Sequence, residues 1–106
     1  LHIGHVTNGI HYFTWTDNRW QKLYHESFEQ GFEDKQHEAN LWQKIYNIPD
    51  NKLWETRKAV KNQLINFVKE HIQKDLTRRQ ENPGLILDSV KYLNENSIIF
   101  GFARRF

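Results

Sequence analysis

Hydrophobic and polar positions along this chain follow a helical rhythm through the middle and abandon it at both ends. Leu1 to Trp15 has no helical period; Thr7-Asn8-Gly9 reads as a turn, and Tyr12-Phe13-Thr14-Trp15 as an extended stretch. Trp20, Leu23, Tyr24 and Phe28 then recur at helical spacing. They predict a helix that starts at an N-cap of Thr16 or Asp17, runs to about Gln30 and ends on Gly31. A second helix, over about 34–46, presents Leu41, Trp42 and Ile45. Ile48-Pro49-Asp50 breaks it, because the residue before a proline disfavours the α region. Asp50 then caps the dominant element, a helix over about 51–80 that is roughly 45 Å long at 1.5 Å per residue. Its predicted buried stripe is Leu53, Trp54, Val60, Leu64, Phe67, Val68, His71, Ile72 and Leu76, with Lys, Arg, Glu and Gln opposite. Asn82-Pro83-Gly84 ends that helix, and a short fourth helix covers about 87–93. After Asn94-Glu95-Asn96 comes the apolar run Ser97-Ile98-Ile99-Phe100-Gly101-Phe102-Ala103. It reads as a buried strand over 97–103 leading straight into Arg104 and Arg105.

Such a strand needs neighbours, and the chain offers few other strand candidates. Residue 1 is Leu and there is no Met. The expectation is an internal piece of a larger protein, a single partial domain over 1–106. Residues 1–15 form a loop, 16–94 a helical segment, and 97–103 a strand. The fold class is therefore mainly α, with three to four helices, one of them long, and a terminal β-strand.

Composition narrows the chemistry. The 106 residues allow at most one domain, and 38% apolar content makes a thin core that the rings of Trp15, Trp20, Trp42 and Trp54 help to fill. A net charge of +2 is too small to argue for nucleic acid. With no Cys, disulfides and Cys-based zinc sites are excluded. No apolar run approaches the roughly 20 residues of a membrane span.

Four groups of residues carry candidate chemistry. His2, His5 and His11 have the nitrogen ligands zinc uses, but no carboxylate or Cys nearby completes a tetrahedron, so polar loop residues or ligand donors is the favoured reading. Arg78 and Arg79 complement the dipole at the end of the long helix, a reading favoured over nucleic-acid contact. The aromatic rings have the faces to stack on sugars or bases, yet at helical spacing they are more simply core. Arg104 and Arg105 differ in kind, because they follow a buried strand at its carboxyl end, where open α/β sheets bind ligands. Arginine also suits bidentate phosphate contact.

Two motifs become specific when read together. Near the start stands His5-Val6-Thr7-Asn8-Gly9-Ile10-His11-Tyr12-Phe13-Thr14-Trp15, and at the end Gly101-Phe102-Ala103-Arg104-Arg105-Phe106. Between them lie Ile48-Pro49-Asp50-Asn51-Lys52-Leu53-Trp54 and Leu64-Ile65-Asn66-Phe67-Val68. In this order the motifs resemble the α-glucan phosphorylases, the glycogen and maltodextrin phosphorylase family, over nearly the whole chain.

The resemblance implies an enzyme that removes glucose from the non-reducing end of an α-1,4-glucan with inorganic phosphate, releasing α-glucose 1-phosphate. It implies two Rossmann-like domains, with this piece at the entry to the C-terminal one, and a cytoplasmic parent. Pyridoxal 5′-phosphate would be held through a lysine, its phosphate group acting in proton transfer. Residue by residue, Asn8 matches the asparagine that contacts the glucose unit, and His11 beside it is a further sugar-side donor. Arg105 matches the arginine that holds the substrate phosphate, and Arg104 the basic neighbour facing the cofactor phosphate. The family continues past this pair with Ala-Thr-Tyr-Lys-Arg, and its cofactor lysine lies further on. On this reading the 106-residue piece alone neither catalyses nor holds the cofactor, and its exposed apolar faces make it self-associate. Two alternatives remain. One is a self-standing helical module that binds an anionic partner through the basic end of the long helix. The other is a piece of another two-domain sugar-nucleotide glycosyltransferase. No membrane or nucleic-acid partner is expected.

Overall fold

A computed structural model describes residues 3–104. The order of elements is α1 (Tyr12–Trp15), α2 (Asn18–Ser27), a 3-10 turn (Phe32–Lys35), α3 (Ala39–Trp42), a second 3-10 turn (Gln43–Asn47), α4 (Asp50–Arg78) and α5 (Pro83–Lys91). The chain is mainly helical with one long helix, as its periodicity predicts. It divides into two compact units, one through Thr56 and one from Arg57.

The first unit is organised around aromatic rings. Phe32 is fully buried, and Tyr12, Leu23, Phe28, Leu41 and Ile48 close around it. Tyr24 stacks on Phe28 with centroids 5.3 Å apart, while Trp42 meets both edge-on. Offset and edge-to-face pairs of this kind add stability beyond their buried area. Asp17 caps α2 as expected, its carboxylate accepting from the Arg19 amide at 2.9 Å. The helix ends at Ser27, earlier than predicted, and Gly31 then takes the left-handed conformation, φ 75°, that turns Phe32 inward.

Residues 34–46 do not form one helix. The Gln36 amide donates to the Glu33 carbonyl at 2.6 Å, and the Trp42 indole donates to the Gln36 carbonyl at 2.8 Å. Side chains thus satisfy carbonyls that a continuous helix would use for its ladder, and tertiary packing of Trp42 overrides local propensity. Glu29 reaches across this region to Lys35 at 3.1 Å and Lys44 at 2.9 Å.

In the second unit, Ile65 of α4 and Val90 of α5 are buried. The phase of the α4 stripe differs from expectation. Ile65 is covered while Leu64 and Phe67 remain about 60% exposed. One residue along a helix is a rotation of about 100°. The apolar stripe of α4 is broader than what covers it, so composition alone did not fix its buried edge. At the C-terminus of α4, Gln80 adopts φ 58°, with the Glu81 amide donating to the Leu76 carbonyl and the Gln80 amide to that of Thr77. This is a Schellman closure with glutamine where glycine is usual. Asn82 then caps α5 through the Gly84 amide at 2.7 Å, with Pro83 in the first turn.

The terminal β-strand over 97–103 is corrected: no strand forms among the described residues. A strand exists through ladder bonds to a neighbour, and the described residues offer no second run to supply them. Among the described residues, no helix is long and apolar enough to cross a membrane.

Candidate functional site

The first candidate segment enters through an exposed loop, which carries His5, Asn8 and Gly9 and ends at His11. Beyond that loop the backbone is held in place. Tyr12-Phe13-Thr14-Trp15, expected to be extended, winds into the single turn α1. The reason lies in two anchors. The His11 ring caps the turn, Nδ1 accepting from the Thr14 amide at 3.3 Å and lying 2.7 Å from Thr14 Oγ1. Tyr12 is buried, edge-on to Phe32 with centroids 5.6 Å apart. From α2, the Gln21 amide donates to the carbonyls of Phe13 at 3.3 Å and Thr16 at 2.7 Å, closing the far side. With Nδ1 occupied by the Thr14 contacts, Nε2 is the ring nitrogen that His11 can offer a ligand, and Asn8 stands three residues before it.

Tyr12 carries a cost. Its hydroxyl is buried and has no hydrogen-bond partner among the described residues. Burial pushes its pKa up from the usual 10.0, and the charges of Glu33 and Tyr24 act in the same direction. Glu33 is itself engaged by His25 Nε2 at 3.1 Å.

The second candidate segment lies in the other unit. Arg104 is exposed there, and Arg105 lies outside the described residues. The turn before this segment is closely bonded. Asn96 N donates to Asn94 Oδ1 at 3.0 Å, Ser97 N to the Asn94 carbonyl at 3.2 Å, and Ser97 Oγ to the Tyr92 carbonyl at 2.7 Å. From α4, Lys61 Nζ donates to the carbonyls of Glu95 at 2.7 Å and Ser97 at 2.6 Å, and Asn62 Nδ2 to Glu95 Oε2 at 2.7 Å. Lys61, Asn62, Thr14 and Gln21 carry no local sequence signal for these tasks. The partners of Lys61 and Asn62 lie 33 to 36 residues away.

Other candidates resolve into ordinary surface. Arg78 and Arg79 both pair with Asp75, at 2.8 and 2.9 Å. Among the described residues, no group of three or more His, Asp or Glu side chains gathers as a metal site; His2 lies outside them.

Comparison with known proteins gives one consistent result. The chain is 31% identical to the glycogen phosphorylase of Aquifex aeolicus over 103 residues, which is 97% of this chain and 15% of that protein. It is 35% identical to the maltodextrin phosphorylase of Thermococcus litoralis over 101 residues, 95% of this chain and 12% of that protein. Identity to the glycogen phosphorylase of Mycobacterium tuberculosis is 27% over 103 residues, again 97% of this chain and 12% of the relative. No family model matches the chain, and no solved structure matches it significantly.

Proposed function

We propose that this chain, a distant homologue of the glycogen and maltodextrin phosphorylases along almost all of its length, is the part of such an enzyme that brings a sugar-contacting loop and a phosphate-binding arginine pair to an active site. The observation that carries the reading is the similarity over 95–97% of the chain to relatives that share one named activity. In this reading Asn8 contacts the glucose unit and His11 is a further donor to the sugar. Arg105 holds the substrate phosphate and Arg104 the phosphate of pyridoxal 5′-phosphate, in a protein with two Rossmann-like domains. The parent acts on α-1,4-glucan and inorganic phosphate.

The electrostatics favour two cations at this point. Two phosphate groups must approach each other, and fixed guanidinium groups offset their repulsion, more so where water is excluded. The guanidinium of Arg104 suits the phosphate end of the cofactor. When bound, that phosphate group supplies proton transfer. This chain's own contribution is to hold charge at Arg104 and to orient a sugar at Asn8 and His11. The helical-module alternative is weakened because both Arg78 and Arg79 are already engaged by Asp75.

The test is a chimera. Replacing the equivalent segment of the Thermococcus litoralis enzyme with this chain is expected to leave release of glucose 1-phosphate measurable, and Arg105→Ala in it to abolish that release. A folded, soluble chimera without activity refutes the reading. Taken alone, the 106-residue chain is expected to release none. It is also expected to self-associate in light scattering, because Leu64, Phe67, Leu87, Ile98, Phe100 and Phe102 are exposed.

A further inference from the structure

The terminal segment that bears Arg104 leaves most of its large apolar side chains uncovered. Ile98, Phe100 and Phe102 are 85%, 94% and 88% exposed. What is fixed is the turn from which the segment departs. Asn94, Asn96 and Ser97 are bonded among themselves and to Tyr92, so the turn moves as one piece. Among its ties to α4 are the two Lys61 bonds and the Asn62–Glu95 bond.

We propose that Lys61, assisted by Asn62, is a positioning residue that sets where the arginine-bearing segment leaves the helical unit. The ammonium meets two carbonyls of one turn, residues 95 and 97, which gives it direction as well as strength. Hydrogen bonds from a charged donor are stronger than neutral ones. Its backbone is the interior of a 29-residue helix, a rigid support compared with the loop it holds. Without the ammonium, those two carbonyls turn to water and the turn is held less firmly on α4. The positioning of phosphate-binding groups rests on the phosphorylase reading; the anchor itself does not.

The experiment separates the two. In the 106-residue chain, Lys61→Met keeps the aliphatic stem and removes the donors. Amide exchange at Asn96 and Ser97 should quicken by about tenfold, the effect of losing charge-assisted bonds. Exchange along α4 between residues 64 and 76 should stay unchanged. Lys61→Arg should restore the slow exchange, and Asn62→Leu should give a smaller rise in the same amides. Unchanged protection in Lys61→Met overturns the anchor, and so does protection lost equally throughout α4 and α5. In parallel, the chimera with the Thermococcus litoralis enzyme carries the same substitutions, and release of glucose 1-phosphate is read. A rate that falls in Lys61→Met and returns in Lys61→Arg supports the positioning role, and an unchanged rate in Lys61→Met overturns it. A folded chimera that is inactive before any substitution refutes the phosphorylase reading, and the exchange data still decide the anchor.

Discussion

Tyr12→Phe is expected to stabilise the fold, contrary to the usual effect of trimming a buried side chain. The Tyr12 ring packs edge-on against Phe13 and Phe32 at 5.1 and 5.6 Å, and a phenylalanine keeps those contacts. What it removes is a hydroxyl that is buried without a partner among the described residues. Leaving such a group unsatisfied costs about 1–3 kcal/mol, so relief of part of that penalty should raise stability by roughly 1 kcal/mol. In a domain of this size that is a rise in midpoint temperature of about 4–8 °C. Urea denaturation followed by tryptophan fluorescence measures it, with an unchanged slope showing that only stability moved. A second readout comes from alkaline pH. Burial holds the Tyr12 phenol protonated above its ordinary 10.0, so the folded state binds the proton more tightly than the unfolded chain. Stability is then full below that value and declines as pH rises through it. The Phe variant should decline less steeply, the residual slope arising from Tyr24, which burial also pushes up. A loss of about 1 kcal/mol in Tyr12→Phe refutes the reasoning, since it means the hydroxyl has a partner such as an ordered water.

Two further predictions concern other parts of the fold. Gln80→Gly should stabilise the C-terminus of α4 by about 1 kcal/mol, because a left-handed non-glycine residue costs about that much; a thermal midpoint that falls instead argues against the Schellman closure. Glu29→Gln should flatten the loss of stability in acid. Hydrogen bonds from Lys44 and then Lys35 hold the Glu29 carboxyl below its usual 4.5, so its contribution is present above that value and is lost as pH falls. Urea midpoints between neutral pH and about pH 3 test this, and parallel curves for the two proteins exclude it.

Much of the candidate site was legible in the chain as residue types. Asn8 and His11 stand in an exposed loop, although no turn forms at Thr7-Asn8-Gly9, and Arg104 follows the apolar run. Their support was not legible. Aromatic residues at 12–15 argued for an extended stretch, but burial of Tyr12 and the His11 cap wound them into a turn. Lys61 looked like one of many basic residues on a wet face until the fold brought residues 95 and 97 to it.

The sequence by itself determined the features set by neighbours in the chain. Asp17 caps its helix, Pro49 precedes the start of α4, and Gly31 turns the backbone, because caps and turns depend on one residue's own chemistry; Asn82, read only as an end to α4, also caps α5, which starts at Pro83 and not near residue 87. Tertiary structure decided what depends on distant partners. It broke residues 34–46 into short turns so that side chains could serve carbonyls, and it selected Ile65 over Leu64 as the covered edge of α4. It also left residues 98–104 without strand structure, because a ladder bond needs a second chain segment and no local pattern can provide one.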